Sequence, residues 1–431
     1  MIYDYIIIGG GIAGLYTAFI LSQKFKILLL EKNNKLGGRL EEICFHNKFI
    51  KMGAGIAALN NKHLLKLLNK IKIKYEVITG DINVINKDDT YYNKKYHNAM
   101  IKQIKEKVIE LKKKNIKYNH LTFKQFVYKY FPKKDVDNYF LHCEYNDFLD
   151  GDVDYHIKYY PITDNSYSKY KIVYLKWLNI ILKLKEFVKQ NKGQIKTSYE
   201  VNKINYDIDN DLYTVNDEYQ CSNLVLATTI KPLVYLLKNS NIKVPYDYSK
   251  LINSVPFVRI YTYHKKGHNF LTNNIDYYNI VSDKNPLQKI IVITQDKFLM
   301  ASYSDNENAS YWKQFLDKDG NIKDKDKFKE RVLFYLRKIN PNTTEIDDVV
   351  IHYWEEGVHY FKPMEGKLEK MIDKLNHPLP NLYIVGEQIS YRQGWVEGAI
   401  ESVDRTFKKI IKSTNVPTIS NVAGINNRFD C

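Results

Sequence analysis

Apolar positions along the chain change period several times, and each change predicts an element. Tyr3-Asp4-Tyr5-Ile6-Ile7-Ile8 is a short β-branched run that suits a strand buried on both faces of a parallel sheet. Glycines follow at once, and Leu15 to Ser22 continues as a helix of small and apolar residues. Lys26-Ile27-Leu28-Leu29-Leu30 reads as a second buried strand, ending at Glu31. Helical spacing returns from His63 to Ile73. From about Asn98 to Gly193 the chain is lysine-rich and mostly helical in pattern, with helices expected over Met100–Lys114, Phe123–Phe131 and Tyr174–Gln190. Strand patterns resume at Ile195–Ile204, Leu212–Val215 and Leu224–Thr228, and again at Ser254–Tyr263, where aromatics alternate. Near the C-terminus, Asn381 to Val385 reads as a strand running into Gly386-Glu387, and a helix opens after Gln393-Gly394-Trp395 and continues to about Lys412.

The first change of period carries chemistry. Gly9-Gly10-Gly11-Ile12-Ala13-Gly14 is a GxGxxG string set between a strand and a helix. Gly9 permits the tight turn, Gly11 lets backbone approach a pyrophosphate, and Gly14 lets helix and strand pack closely. A pyrophosphate at this helix N-terminus would meet unpaired N–H groups and the positive end of the helix dipole. Glu31 ends the second strand about 20 residues on, where a carboxylate accepts both hydroxyls of an adenosine ribose and disfavours a 2′-phosphate. The strand, glycine loop, helix, second strand and acid stand in the order of a Rossmann-type dinucleotide site.

Bulk composition changes this picture little. A chain of 431 residues exceeds what one core usually serves, so two connected domains are expected. Hydrophobic content of 44% and charged content of 26% are those of a globular protein. The formal charge of +16 predicts nonspecific attraction to polyanions. Lysine nevertheless looks scattered alongside abundant Asn, Ile and Tyr, and no RNA-binding motif or helix-turn-helix is found, so no specific nucleic-acid partner is expected. Cys44, Cys143, Cys221 and Cys431 are far apart with no metal-ligand spacing; no metal is expected, and reduced thiols in a cytoplasmic protein fit this usage. No apolar run is long enough to span a bilayer, and no secretory pattern precedes the first strand.

After Glu31 comes Lys32-Asn33-Asn34-Lys35-Leu36-Gly37-Gly38-Arg39, which resembles the E-x(5)-GGR extension of the flavin amine oxidoreductase family. That family includes monoamine, polyamine, L-amino-acid and protoporphyrinogen oxidases and, more distantly, renalase. The resemblance implies an α/β fold: a Rossmann-type FAD-binding domain with a discontinuous α+β substrate domain. Its motifs continue through the chain. Gly53-Ala54-Gly55 occupies the segment that runs along the isoalloxazine, with Lys51 in place of the usual acid. Val201 matches the residue that clamps adenine through its backbone, and the strand ending at Thr228 returns to the cofactor domain. The closing block, Gly386-Glu387 followed by Gly394-Trp395-Val396-Glu397-Gly398-Ala399, is the sharpest match after the N-terminus. It implies helix N–H donors for the flavin edge, close approach of the ring at Gly398-Ala399, and Glu387 near the ribityl or pyrophosphate region.

The cofactor-binding set implied is Gly9, Gly11, Ala13, Gly14, Glu31, Lys32, Gly38, Arg39, Gly53, Ala54, Gly55, Val201, Thr228, Gly386, Glu387, Trp395, Val396 and Ala399. Trp395 maps onto one wall of the family's aromatic cage, and His359 or Tyr360 onto the other. Val358 stands where some members carry the cysteine that attaches FAD, so non-covalent FAD is expected. Arg259 aligns with a lysine that holds a water near flavin N5 in many members.

The expected domains are 1–75 with 194–235 and 376–415 for FAD, and 76–193 with 236–375 for substrate, followed by a flexible tail over 416–431. The function implied is FAD-dependent oxidation of a C–N bond in a small amine, with molecular oxygen as acceptor and hydrogen peroxide as product. Two alternatives stay open: oxidation of a non-amine ring, renalase-like or porphyrinogen-like, and a basic flavoprotein with a binding role. The oligomeric state is not indicated.

Overall fold

The computed structural model describes residues 2–80, 83–84, 94–141, 143, 145–163, 170–270, 276–279, 285–292, 297–364, 366 and 368–413. The tail expected over 416–431 lies outside them. The chain divides into two compact units: 1–77 with 172–253 and 366–431, and 78–171 with 254–365.

In the first unit the opening strand Ile2–Ile8 lies at the centre of a seven-stranded sheet. It pairs in parallel with Ile27–Leu30 on one side and Tyr219–Leu226 on the other. Gln194–Lys196 adds to the first neighbour and Leu382–Ile384 to the second, again in parallel. Ile8 is in register with both Leu30 and Leu226, and Leu226 with Ile384. Five parallel strands, one of them from the far end of the sequence, therefore finish along one edge. The helix Ile12–Leu21 is buried along its whole length, as its unbroken apolar run requires. The helix Trp177–Gln190 packs on it through Phe187, which meets Phe19 with ring centroids 4.4 Å apart.

The second unit is built on a six-stranded sheet in the order Asp348–Phe361, Ile252–Tyr263, Phe298–Asp305, Lys289–Val292, Asp276–Asn279, Asn83–Val84. One core of this unit gathers Val258, Ile260 and Ala301 with Trp312 and Phe328 of two helices, Asn306–Lys313 and Lys325–Ile339. A separate helical cluster, Lys94–Lys113, Phe123–Tyr130, Lys133–Leu141 and Val153–Thr163, has its own core around Ile104, Phe123, Phe126 and Tyr139.

Several expectations are corrected. Tyr174 ends a strand, Tyr170–Tyr174, and the helix begins only at Trp177. That helix, placed by sequence in the substrate domain, belongs to the first unit, because its apolar face packs on Ile12–Leu21. The single strand expected over Ile195–Ile204 is two, Gln194–Lys196 and Ile204–Asp207. Between them Ser198 takes a positive φ and donates its N–H to the Asn33 carbonyl, which pulls the chain off the ladder. The closing helix stops at Thr406, and a second short helix runs from Lys408 to Ser413. The thiols are not all reduced: Cys44 is disulfide-bonded, whereas Cys143 and Cys221 are free. Wide spacing gave no sign of this, because pairing depends on the folded geometry.

Three helices of the first unit meet at Asp404. Its carboxylate accepts from the Tyr16 hydroxyl at 2.7 Å and lies 2.5 Å from His63 Nδ1. The hydrogen bond to Asp404 is the main cause that raises the His63 pKa, outweighing the burial that would lower it; the charges of Asp404, Glu397 and Glu401 add to the rise. The unfolded value is about 6.5 and the folded value higher. This contact therefore stabilises fully below about pH 6.5 and loses its contribution as pH rises through the folded value. Thermal melts across this range should show the wild type losing Tm with rising pH relative to His63→Gln. Parallel curves for the two proteins would remove the clamp.

Candidate functional site

The aligned strand ends of the first unit deliver Gly9, Glu31, Thr228 and Gly386 to the carboxyl edge of the sheet, the edge at which open α/β sheets take their ligands. Gly9 adopts φ +107°, and its N–H donates to the Leu30 carbonyl at 2.8 Å. A Cβ on Gly14 would stand 1.9 Å from the Gly9 carbonyl oxygen, so only glycine lets the helix start so close to the strand. Gly11 is different. It caps the helix Ile12–Leu21 without a side-chain hydrogen bond, and a Cβ there would meet no atom within 4 Å. Gly11 faces open space, as a residue approached by a ligand should. Ala13 is buried inside the helix.

Glu31 is buried and held from both sides: Gly10 donates to Oε2 at 2.6 Å and Asn33 to Oε1 at 2.8 Å. Each oxygen has a second lone pair, which fits the two hydroxyls of a ribose. The Lys32 side chain is exposed beside it. Gly37 donates to the Gly10 carbonyl at 2.9 Å, which lays the GGR segment along the glycine loop. Gly38 is exposed, and Arg39 reaches from there to Glu387, Nη1 to Oε1 2.5 Å, joining residues 348 positions apart. The other oxygen of Glu387 accepts from Gly394 N–H at 2.7 Å.

Gly53, Ala54 and Gly55 are pinned by three bonds. Ala54 donates to the Arg39 carbonyl at 2.8 Å, and its own carbonyl accepts from Trp177 Nε1 at 2.8 Å. Lys51 donates from Nζ to the Gly55 carbonyl at 2.8 Å and stands 4.0 Å from the Tyr174 ring centroid. The lysine at the family's acid position thus closes this loop on itself. Val201 is buried in the loop after Gln194–Lys196, and the Thr228 carbonyl accepts from Gln388 at 2.8 Å.

Trp395 is half-buried and caps the helix Val396–Thr406 with extended backbone and no side-chain hydrogen bond; Val396 and Ala399 lie in its first turn. One detail of the sequence reading changes. A Cβ on Gly398 would stand 2.0 Å from the Arg392 carbonyl oxygen, so that glycine admits the 390–392 loop.

Three functional contacts had no signal in the sequence. Gln388, buried, ties the Thr228 strand end to the closing segment. Glu397 accepts from His63 and Leu64 N–H groups at 3.0 and 2.9 Å and so caps the helix Lys62–Lys70. Trp177, read from sequence as core, is fully buried and also fixes the Ala54 carbonyl.

The second unit holds Arg259, His359 and Tyr360. Arg259 is 3% exposed, opposite Tyr303 in the ladder, with its guanidinium carbon 4.5 Å from that ring's centroid. Burial alone would lower its pKa; Tyr261 and Tyr303 outweigh that and raise it. His359 is 1% exposed, Nε2 3.8 Å from Glu356 Oε1, and Tyr360 beside it is also buried. Val358 is half-buried on the same strand.

The residues of the first unit fit a dinucleotide flavin: a glycine open to space, two helix N-termini free of side-chain caps, and a clamped carboxylate after the second strand. Two family models match the chain. One describes an NAD(P)-binding Rossmann-like domain, over residues 7–71; the other a flavin containing amine oxidoreductase, over residues 179–406. The chain belongs to the flavin-containing amine oxidoreductase family, and is an FAD-dependent, amine-oxidase-like oxidoreductase. A relative, the uncharacterized protein R188 of Acanthamoeba polyphaga mimivirus, is 21% identical over 496 residues, covering 96% of this chain and 94% of its own. Among solved structures, cyclohexylamine oxidase from Brevibacterium oxydans IH-35A shares the fold with a TM-score of 0.70 at 14% identity, over 96% of this chain and 99% of that one. Among the described residues no helix is long and apolar enough to cross a membrane.

The two glycines separate fold from ligand. Gly11→Ala should cost about 1 kcal/mol or less, the difference between glycine and alanine as a helix cap, yet clearly weaken flavin retention by intruding on the phosphate approach. Gly14→Ala gains about 1 kcal/mol of helix propensity but must displace backbone, so it should lower Tm clearly, by about 1–3 kcal/mol net. Thermal melts and flavin-to-protein absorbance ratios check both. Equal flavin loss with equal destabilisation in the two variants would overturn the assignment.

Proposed function

We propose that this flavoenzyme oxidises the C–N bond of a small amine, with molecular oxygen as electron acceptor, hydrogen peroxide as product, and FAD held without a covalent link. The observation that carries the reading is the convergence of Gly9, Glu31, Thr228, Gly386 and the closing helix with Trp395 at one sheet edge, inside a chain of this family. Cyclohexylamine oxidase, which shares the fold, bears a name that makes an amine its substrate.

FAD, when bound, supplies a two-electron acceptor that takes hydride from the carbon next to nitrogen. The chain's residues do the rest. Gly9, Gly11, Gly14 and the helix Ile12–Leu21 hold the pyrophosphate, and Glu31 the ribose. The paired Arg39 and Glu387 orient the segments that flank the ring, while Gly53-Ala54-Gly55 gives it a fixed backbone surface. The first-turn N–H groups of Val396–Thr406 would hold the edge of a bound flavin, where the helix N-terminus favours negative charge. Trp395 forms a wall for the neutral amine; within the second unit Arg259, His359 and Tyr360 are the residues that the family resemblance assigns to substrate. The amine loses hydride from carbon and a proton from nitrogen to give an imine, which water hydrolyses to a carbonyl compound and free amine or ammonia. No strong base is needed from the chain. Val358, in place of an attaching cysteine, supports non-covalent FAD.

A second reading is favoured by one observation, the buried guanidinium of Arg259 stacked on Tyr303, which suits an electron-rich ring with anionic character. On that reading a dihydronicotinamide or porphyrinogen-like ring is the hydride donor.

Anaerobic mixing with a panel of primary amines, polyamines and amino acids should bleach the visible flavin band, and air should restore it with peroxide formed. Bleaching by a ring donor alone would transfer the assignment to the second reading; bleaching by neither would end both. Trp395→Ala should keep its flavin and lose roughly 10- to 100-fold in kcat/KM, about 1.5–3 kcal/mol. Acid precipitation should leave white protein under a yellow supernatant, and a yellow pellet would contradict non-covalent binding.

A further inference from the structure

The net charge is concentrated, not scattered. Residues 94–134 contain thirteen lysines, two glutamates and neither arginine nor aspartate, which accounts for eleven of the chain's sixteen net positive charges. In the second unit this stretch forms the helices Lys94–Lys113 and Phe123–Tyr130 and the start of Lys133–Leu141. Met100, Ile101, Ile104, Val108 and Leu111 give the long helix its buried side. The exposed side carries Lys102, Lys105, Glu106, Ile109, Lys112 and Lys113, at the three- and four-residue spacing that aligns side chains along a helix, with Glu106 3.9 Å from Lys102. Ile109 is 53% exposed among those lysines. Just past the helix end Asn115 turns the chain with φ +55°, and Ile116, 45% exposed, follows beside Lys117.

The few acids here are already matched. Glu110 takes hydrogen bonds from Lys107 and Lys114, Asp154 from Lys112, and Asp137 from Lys133. The bonds from Lys107 and Lys114 hold Glu110 down at about 2, a sign of how positive this face is. Among the described residues Lys105, Lys113, Lys117, Lys124 and Lys134 have no carboxylate partner.

We propose that this face docks the protein on an anionic lipid bilayer. The apolar side of the long helix is committed to its own core, so the helix cannot sink into the membrane; it meets the headgroups with its lysine side. Lysine suits that contact, since a compact ammonium attracts phosphate and carboxylate headgroups without needing planar geometry. The two exposed isoleucines decide between polyanions. Aliphatic side chains standing among cations gain by entering the interfacial zone of a bilayer, whereas a nucleic-acid backbone offers them nothing. A single-strand site would need exposed aromatic platforms. Among the described residues here the exposed aromatic, Tyr128, is held by its hydroxyl to Asp137 at 2.6 Å. This inference does not rest on the reaction assigned above.

The test is co-sedimentation of the full-length holoenzyme with phosphatidylcholine vesicles, with and without about 30% phosphatidylserine, at about 0.1 M salt. Binding is expected only to the anionic vesicles, weakening steeply as salt is raised. Each lysine is worth about fivefold in partitioning, so the triple variant Lys105→Glu, Lys113→Glu, Lys117→Glu should lose roughly a hundredfold or more. Ile109→Ser with Ile116→Ser should lose several-fold at unchanged charge. The flavin spectrum of each variant reports that it is folded. No binding to anionic vesicles, equal binding by the triple variant, or displacement from vesicles by equimolar duplex or single-stranded DNA would overturn the proposal.

Discussion

The approach of the first helix to the first strand is the constraint on which the cofactor site depends. The carbonyl of Gly9 lies where a side chain of residue 14 would have to be. That contact brings the helix N-terminus to the strand end and leaves Gly11 facing open space. The same device recurs where the chain returns. A Cβ on Gly53 would stand 1.9 Å from the Arg39 carbonyl oxygen, which seats the 53–55 segment directly on the GGR turn. Backbone lies against backbone at both places, and side chains are excluded by distance alone.

Carboxylates then fix what the close contacts bring together. Glu31 takes two N–H groups of the loops that flank it, Glu387 takes Arg39 and Gly394, and Glu397 takes the first N–H groups of Lys62–Lys70. Each is buried and hydrogen-bonded at both oxygens, the condition under which a buried charge is tolerable. Glu387 and Glu397 sit in one block of sequence, yet they do different work. One joins the GGR segment to the Gly394 loop; the other anchors the block to a helix more than three hundred residues earlier.

Much of the first unit was legible because its signals are local. A strand, a glycine string and a helix occupy the first twenty-one residues, and their order alone specifies the turn. The closing block was equally plain. What could not be read has a common cause in tertiary contact. The helix Trp177–Gln190 has an apolar face that would suit either unit, and only its seat on Ile12–Leu21 decides. Gly398 has the same spacing whether it clears room for a flavin or for the 390–392 loop, and only the Arg392 carbonyl tells which. Gln388 is an ordinary polar residue until Thr228 arrives beside it from 160 positions away. The break between Gln194–Lys196 and Ile204–Asp207 depends on a bond from Ser198 to Asn33, again a long-range partner.

The abundance of lysine and tyrosine, which reads in the sequence as mere composition, becomes a structural resource in the fold. Lysine is costly to bury because its compact charge loses strong hydration. An aromatic face returns part of that loss while keeping the interior apolar. Lys51 stands over Tyr174, Lys289 over Tyr145 and Arg259 over Tyr303, all three cations being buried. In the exposed β-region Lys196 lies between Tyr199 and Tyr219 in the same manner. A lysine-rich chain could keep every cation on its surface, as the helix Lys94–Lys113 keeps Lys102, Lys105, Lys112 and Lys113. That Lys51 instead closes the loop along the flavin segment shows the opposite use: the charge replaces an acid at a buried place because two rings, Tyr174 and Trp177, are there to receive it. The departure from the family pattern is thus compensated locally, by aromatic neighbours the same composition supplies.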